Sequence, residues 1–288
     1  MTIQSETLVT NDFYSLPTDL DFEVGFEPSK VGHKKYVSNK NTGEYLDVVG
    51  HGFNCASHRS FFNNVRTTML GTTGRELLEN SKIKWSSARN NAWAMLDINM
   101  VGYSRNVSND KFSTSLTPRI IALHAIDGSA SNQVYFGAID SFCTNGMISG
   151  DYSMIRRKNT SGFSIDKFIR ELSTMKGQFI DKVATMNQWA NKQIPFSVDV
   201  KTLLQDIVKS ERKADKMYLL YQNERQTRGD NVFALYSAFT NYSSYADERN
   251  GFALRNTGLD TRATSMWARE QEVAKWIDNP KFKQLLTA

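Results

Sequence analysis

The period of hydrophobic and polar positions changes along the chain and marks an acidic leader, a β-rich part and a helical part. Residues 1–30 are polar, contain Pro17 and Pro28, and show no regular period, which predicts an extended arm with short local structure. Alternating segments at Lys34–Asn39 and Glu44–Val49 then predict two strands. Their connection, Lys40-Asn41-Thr42-Gly43, supplies the Asn and Gly that favour positive φ in a hairpin turn.

A helix is predicted next, over about Ser57 to Leu70, because the apolar residues recur at helical spacing. Strict alternation follows and predicts one buried and one mixed face for a sheet. The predicted strands are Lys82–Ala88, Ala92–Tyr103, Pro118–Ile126, Gln133–Phe142 and Tyr152–Lys158. The first two form a hairpin across Arg89-Asn90-Asn91.

From residue 165 onwards the apolar period is helical. Ile165 to Ala190 predicts one amphipathic helix of about 40 Å, which Ile194-Pro195 ends because proline restricts the preceding residue. Asp199 is a predicted N-cap for the next helix. Further helices are predicted at about Ala214–Glu224, Val232–Tyr245 and Ser265–Asp278, the last ending at Asn279-Pro280.

This order of elements predicts an α+β protein with an antiparallel sheet, a long amphipathic helix packed on it, and a helical C-terminal region. The expected division is an acidic arm at residues 1–30, an α+β core at residues 31–195 and the helical region at residues 196–288.

Composition favours a folded chain, since hydrophobic residues make up 40% and charged residues 23%. The net charge of +5 is unevenly distributed, because residues 1–27 contain six acidic residues and no Lys or Arg. A basic body behind an acidic leader is typical of a polyanion-binding protein, although many ordinary proteins are equally basic.

We expect a cytoplasmic protein without membrane attachment, acting in an infected bacterial host. No apolar run approaches the roughly 20 residues that span a bilayer, and the N-terminus lacks the pattern of a secretory signal. Two cysteines, Cys55 and Cys143, favour reduced thiols over a disulfide framework.

Two groups of residues resemble reactive sites, and each has a simpler interpretation. His51, Cys55 and His58 are zinc-binding residue types in close spacing, but a loop followed by a helix start explains them equally. Cys143 with His124 as base is a possible nucleophile pair, although a buried strand cysteine is the commoner case. We therefore predict neither a metal nor a catalytic residue.

Scattered carboxylates leave a magnesium-dependent nuclease as a further alternative. Such an enzyme needs several carboxylates close enough together to bind magnesium. The candidates meet this condition only if one edge of the sheet brings them together: Asp97, Asp127, Asp140 and Asp151. The glycine spacing matches neither a Walker A loop nor a dinucleotide fingerprint, so no nucleotide cofactor is expected.

Basic and aromatic residues interleave along the predicted strands, which is the pattern of a groove that holds single-stranded nucleic acid. The predicted phosphate-binding residues are Lys34, Lys35, Lys82, Lys84, Arg89, Arg105, Arg156, Arg157 and Lys158. The predicted base-stacking residues are Trp85, Trp93 and Tyr103. The alternative is that the aromatic side chains belong to the core and the lysines are merely solvated.

The segments His124-Ala125-Ile126-Asp127-Gly128-Ser129 and Cys143-Thr144-Asn145-Gly146-Met147 resemble motifs of the phage/plasmid-like proteins of unknown function, which occur in prophages, plasmids and phage genomes. The likeness covers about residues 30 to 285 and includes the late helix at residues 231–242. It makes Asp127, Gly128, Ser129 and Asn145 candidate loop residues of the site.

Two departures from that family are visible. Ala125 and Ile126 separate His124 from Asp127, which the family places together, and Asp140 stands where the family has an arginine. A role that needs this positive charge is not carried over.

The order of hairpin, helix, further strands and long helix is also similar to single-strand annealing proteins of the Red-beta and RecT class. That likeness implies a ring or filament of identical subunits that anneals single-stranded DNA without a nucleotide cofactor, together with a phage or host replication or recombination partner. The competing hypothesis is an interaction protein that counters a host defence or restriction factor.

Overall fold

The computed structural model describes residues 9–10, 15–73, 78, 80–140, 146–147, 154–157, 165–245 and 262–287. It confirms an α+β protein with antiparallel sheets and a helical C-terminal region. The strands are β1 Val9–Thr10, β2 Val24–Pro28, β3 Lys34–Asn39, β4 Tyr45–Gly50, β5 Ser81–Ala88, β6 Trp93–Met100, β7 Arg105–Ser108, β8 Ser113–Ala125, β9 Asn132–Asp140, β10 Gly146–Met147 and β11 Met154–Arg157. The helices are α1 His58–Thr73, α2 Ile165–Asn191, α3 Val200–Val208, α4 Glu211–Arg228, α5 Val232–Tyr245, α6 Arg262–Ile277 and α7 Pro280–Thr287.

Eight strands form the larger sheet, with β1, β5, β6, β8, β9 and β10 in that spatial order. Strand β7 pairs with β8, and β11 pairs with β9. The predicted hairpin of β5 and β6 is present, and its turn places Arg89, Asn90 and Asn91 at positive φ. Asparagine tolerates this conformation better than most residues because its short side chain bonds locally.

A separate three-stranded sheet contains β2, β3 and β4. The Lys34–Asn39 strand was predicted with its observed bounds, and Gly43 takes the positive φ expected in the turn that follows it. The pairing of β3 with β4 shifts by one residue between Val37 and Ser38, which is the signature of a bulge. One face of this sheet is buried at Val37 and Val49.

Helix α1 covers one face of the larger sheet. Its apolar side chains lie in one core with alternate residues of β5, β6, β8 and β9, as the two periods require. The principal residues of this core are Phe61, Phe62, Val65, Met69, Ile83, Trp85, Leu96, Ile98, Ile120, Ala122 and Val134.

The long helix α2 packs against α1 and strand β7, and its observed bounds agree with the predicted ones within one residue. Two asparagines of α2 tie it to the backbone of β7. Asn187 accepts a hydrogen bond from the Ser108 N–H at 3.1 Å, and Asn191 donates to the Ser108 carbonyl oxygen at 3.3 Å.

Helices α3 to α7 share a second core with the end of α2 and with Val107 and Leu116 of the larger sheet. Asp199 caps α3 as predicted, because its side chain accepts a hydrogen bond from the Lys201 N–H. Helix α7 was not predicted: Pro280 does not only end a helix but begins one, at the position where proline is tolerated. Among the described residues, no helix is long and apolar enough to cross a membrane.

The predicted arm at residues 1–30 contains more structure than its sequence indicated. Val24–Pro28 is strand β2 and pairs along its whole length with β3, while Val9 and Thr10 pair with Lys84 and Ile83 of β5. Strand β7 was also missed, and β8 begins at Ser113 rather than at Pro118.

Candidate nucleic-acid interface

Lys82 and Lys84 lie on one face of β5, opposite the side that places Ile83 and Trp85 in the core. The strand register puts Lys84 beside Asp97 and Lys82 beside Asn99. Both lysines are exposed, and neither forms an ion pair with another residue in the described part of the chain. Their ammonium groups are therefore available to an anionic ligand.

Arg119 lies beside Asn99 in the register of β6 and β8, but its side chain is buried. Its Nη2 donates to Glu270 Oε1 of helix α6 at 2.6 Å, and its Nη1 lies 3.6 Å from Asp97 Oδ2. All three side chains are buried. Arg119 is thus occupied by two carboxylates rather than exposed to a phosphate.

Burial raises the pKa of Asp97, against the opposing effect of Arg119 and Lys84, and burial likewise raises the pKa of Glu270 against the effect of Arg119. The physical cause is desolvation, which disfavours the charged form of a carboxyl group. This cluster links residues 151 positions apart in sequence, so strand periodicity gave no sign of it.

Lys34 and Lys35 are adjacent in β3 and point to opposite faces of the small sheet. Lys34 is exposed, whereas the Lys35 ammonium lies 4.3 Å from the centre of the Phe26 ring. Only Lys34 joins the outward face of this sheet.

The two predicted arginines of the described β-rich part differ in their surroundings. Arg89 forms an ion pair of 3.1 Å with the buried Asp127 carboxylate, so its charge is partly compensated. Arg105 is exposed and donates to the Ser104 carbonyl oxygen at 2.9 Å. Arg105 remains available, and Arg89 serves mainly to hold its turn.

Part of the predicted interface lies outside the described residues. The backbones of Arg156 and Arg157 pair with Gln133 and Asn132 of β9, which places them at the edge of the larger sheet. Their side chains, and the whole of Lys158 and Asn145, lie outside the described part.

The prediction that Trp85 and Trp93 stack on bases is wrong for this fold. Trp85 is only 5% exposed and Trp93 only 2%, because both rings fill cores on the two faces of the larger sheet. A base therefore has no ring face to meet at either residue. Tyr103 is half-buried in a short 3-10 turn after β6.

The loop Asp127-Gly128-Ser129 is held by hydrogen bonds between its own residues. Asp127 Oδ1 accepts hydrogen bonds from the Ser129 N–H at 2.9 Å and from the Ser129 hydroxyl at 2.6 Å, which is an Asx turn. Gly128 has φ +76°, and a Cβ there would lie 3.3 Å from the Phe53 ring. These contacts give the loop a structural role.

The candidate metal residues are not brought together. His51 is exposed, the Cys55 thiol donates to the Ile126 carbonyl oxygen at 3.5 Å, and His58 is buried. No cluster of three or more His, Cys, Asp or Glu side chains suited to a metal ion occurs within the ranges that the structure describes. Burial raises the pKa of the Cys55 thiol to about 12, which keeps it protonated.

The two described carboxylates of the nuclease alternative have different arginine partners. Asp97 lies beside Arg119 and Asp127 binds Arg89, while the Asp140 side chain, Asp151 and Cys143 lie outside the described part.

His124 pairs with another histidine, while Cys143 lies outside the described residues. Its Nδ1 lies 2.8 Å from His58 Nδ1, and His58 Nε2 lies 2.8 Å from the Asn91 carbonyl oxygen. Since a carbonyl oxygen only accepts, His58 carries its proton on Nε2, and His124 donates from its own Nδ1. Burial lowers the pKa of His58 to about 4, and it lowers the pKa of His124 further, so both rings are neutral.

An exposed aromatic pair on the small sheet was missed in the sequence. The rings of Tyr36 and Tyr45 lie 4.9 Å apart, and Tyr45 is 56% exposed. Both strands were predicted, but the bulge between Val37 and Ser38 decides which residues of β4 share a face with Tyr36. Alternation alone could not supply that register.

Comparison of the chain with curated proteins and with solved structures gave no significant match. A family model described as "Domain of unknown function (DUF932)" matches residues 45–282, which is well over half of the chain. The match extends from β4 into α7, so it includes the larger sheet apart from β1, most residues of both cores and the lysines of β5. The chain therefore belongs to the DUF932 family.

Proposed function

We propose that this protein binds single-stranded DNA and anneals complementary strands without nucleotide hydrolysis, as an oligomer of identical subunits. The observation that carries the proposal is the exposed positive charge of the β-rich part, at Lys34, Lys82, Lys84 and Arg105, none of which forms a salt bridge with another described residue. Cations in this state release counterions from DNA when they bind its phosphates, and that release supplies most of the affinity.

The helical region presents its cations differently. Several of them lie within an ion pair, as in Lys201 with Asp215 at 2.9 Å and Lys213 with Glu272 at 2.6 Å. A phosphate must compete with these carboxylates. The contrast favours the sheet side of the molecule over the helical side as the surface for a polyanion.

The buried carboxyl groups beside β5 support the same surface. Arg119 lies within ion-pair distance of both Asp97 and Glu270 and compensates their charge inside the buried cluster. Lys84 therefore has a weaker competitor for phosphate than its position beside Asp97 suggests.

The lysines of β5 provide the test. We expect the double substitution Lys82→Ala with Lys84→Ala to weaken binding of single-stranded DNA. The slope of log affinity against log salt should fall by about 1.4, because each phosphate that a lysine neutralises on a single strand contributes about 0.7. Fluorescence anisotropy of a labelled oligonucleotide over a range of salt concentrations measures both effects.

Lys201→Ala is the matched control, since Lys201 is an exposed lysine that already has a carboxylate partner. It should leave both quantities unchanged. Equal salt slopes for the wild type and the double variant would show that the lysines of β5 do not contact DNA. If the wild type binds no single-stranded DNA, the proposed function is wrong.

A further inference from the structure

The outward face of the small sheet exposes apolar side chains although the sheet already has a buried face. Tyr36 lies opposite Val48 in the register, and Tyr45 joins them across the bulge. Tyr45 is 56% and Val48 is 42% exposed, whereas Val37 and Val49 of the same strands are buried on the other side. An exposed apolar group on one sheet face points to a binding surface rather than to a core.

The two tyrosines form a continuous aromatic surface. Their ring centres lie 4.9 Å apart with a tilt of 43°, and the Tyr45 hydroxyl donates to Glu27 Oε2 of β2 at 2.9 Å. Because both the neighbouring ring and this hydrogen bond restrict Tyr45, little conformational freedom is lost when a flat ligand stacks on it.

Lysines lie at both ends of this surface. Lys34 precedes Tyr36 by two residues and is exposed on the same face. Lys40 lies beyond the other end of β3, and its Cγ stands 3.0 Å from the position of a Cβ on Gly25, so its stem crosses the sheet at a residue without a side chain.

The partner of Lys40 does not remove it from this arrangement. Its ammonium lies 3.9 Å from Glu23, and the two side chains are 58% and 80% exposed. A pair this exposed contributes little, so a phosphate can replace the carboxylate. From residue 34 to residue 40 the strand spans about 20 Å at about 3.3 Å per residue, which suits a short length of single strand.

We infer that this tyrosine face, defined by Lys34, Tyr36, Lys40, Tyr45 and Val48, is a stacking site for the unpaired bases of single-stranded DNA. Bases stack on Tyr45 and Tyr36, and the two lysines contact the flanking phosphates. The inference rests on the proposed function and adds the element that distinguishes single strands from duplex, in which the faces of the bases are already stacked on each other.

Substitutions at Tyr45 test the contribution of base stacking to the binding affinity. Tyr45→Ala removes the ring, and Tyr45→Phe keeps the ring but removes the hydrogen bond to Glu27. We expect Tyr45→Ala to weaken binding of a labelled single-stranded oligonucleotide by roughly 5-fold to 150-fold, the range for loss of one stacked base. Tyr45→Phe should lose much less affinity, because it keeps the ring and loses only one of the two restraints on it.

An abasic oligonucleotide of the same length is the matched ligand. It keeps every phosphate but offers no base, so it should bind to the wild type and to Tyr45→Ala with the same affinity. Phe196→Ala is the matched variant, because Phe196 is a fully exposed aromatic residue in the loop before α3, far along the chain from the tyrosine face. It should bind both ligands as the wild type does.

The outcomes separate this inference from the proposed function. If the wild type binds no single-stranded DNA, the proposed function and the inference both fail. If the wild type binds but Tyr45→Ala binds equally well, only the stacking site is wrong. A change in native mass for Tyr45→Ala, without a change in affinity, would identify the face as a contact between copies of the chain and would overturn the inference.

Discussion

His58 and His124 hold each other in the neutral state between α1 and the larger sheet. Phe61 stacks on the His124 ring at 4.8 Å, and Phe62 and Phe22 contact the His58 ring, so water does not reach the pair. Each neutral ring has one N–H donor and one nitrogen lone pair. His58 Nε2 donates to the Asn91 carbonyl oxygen, and His124 Nδ1 donates to the lone pair of His58 Nδ1. A second proton on His58 breaks this arrangement, because its Nδ1 then becomes a donor and no longer accepts from His124.

This arrangement predicts a stability that decreases in mild acid. Folded His58 stays neutral down to about pH 4, whereas in the unfolded chain it takes up a proton near its usual pKa of 6.5. Between these values the unfolded state binds more protons, so the free energy of unfolding falls as the pH falls through this window. The full difference for His58 is about 3 kcal/mol, since each pH unit corresponds to about 1.4 kcal/mol. Urea denaturation at several pH values between 7 and 4 measures the decrease.

His124→Gln is the control, because glutamine keeps a donor for His58 but does not titrate. Its stability should depend less steeply on pH than that of the wild type. Asp97 and Glu270 contribute with the opposite sign, since their raised pKa values favour the folded state at low pH, but both proteins share that contribution. Identical pH dependence in the two proteins would contradict the account of the pair.

Substitution of Arg119 should strongly lower the free energy of unfolding of the protein. Arg119→Met leaves the Glu270 carboxyl and the Asp97 carboxyl buried without their cationic neighbour. Breaking a buried pair in this way costs about 3–5 kcal/mol. The midpoint of urea denaturation gives the value, and Lys201→Met, at an exposed pair, should change it by no more than about 1 kcal/mol. Equal small effects in both variants would show that the cluster does not hold α6 on the sheet.

At the scale of elements, helix α2 stabilises strand β7 through a side chain that forms hydrogen bonds with the strand backbone. Strand β7 pairs with β8 on one side, and Asn187 meets it on the other. The Asn187 Nδ2 group donates to the Asn106 carbonyl oxygen at 3.2 Å while its oxygen accepts from the Ser108 N–H. One side chain thus satisfies both a donor and an acceptor of the strand backbone, as a further strand would do.

Asn187→Ala should therefore destabilise the protein by about 0.5–1.5 kcal/mol, the net contribution of a hydrogen bond, because water can reach the exposed backbone groups that lose their partner. Hydrogen exchange should also show faster exchange at the Ser108 amide. Gln178→Ala, on an exposed turn of the same helix, should cause neither effect. Unchanged exchange at Ser108 in Asn187→Ala would show that the strand does not need the helix.

Sequence periodicity was sufficient for the elements whose own residues determine them. Helix α2 has an uninterrupted apolar period, so its bounds were predicted within one residue, and the Asp199 cap predicted the start of α3. Strands β2 and β7 were missed because each is short and is stabilised mainly by its partner, β3 or β8, rather than by its own pattern.

The candidate site was less predictable than the fold. Exposure of Lys34, Lys82 and Lys84 follows from strand alternation, so these residues were found correctly as surface cations. The burial of Trp85 follows from the same alternation, but that of Trp93 could not be predicted, because both faces of β6 are covered and alternation does not distinguish a covered face from an open one. The exposure of Tyr45 depends on a one-residue bulge, which changes the register of β4 without a sequence signal.

For the molecule as a whole, the proposed function depends on the difference between its two parts. Several cations of the helical region lie in ion pairs, whereas the sheets present Lys34, Lys82 and Lys84 without a salt bridge to another described residue, together with an aromatic face. The acidic residues of the first 27 positions add a further asymmetry, because β1 brings the N-terminal segment beside Lys84. Binding of an anionic chain by the sheets is the function most consistent with this distribution of charge.

The most direct test of the central claim is an annealing assay with two complementary labelled oligonucleotides. Fluorescence quenching monitors the formation of duplex, and no nucleoside triphosphate is added. The account predicts that the protein accelerates annealing at low salt, that the acceleration decreases as salt increases, and that Lys82→Ala with Lys84→Ala reduces it. A rate equal to the spontaneous rate at every salt concentration, together with no binding of the single strands, would contradict the claim.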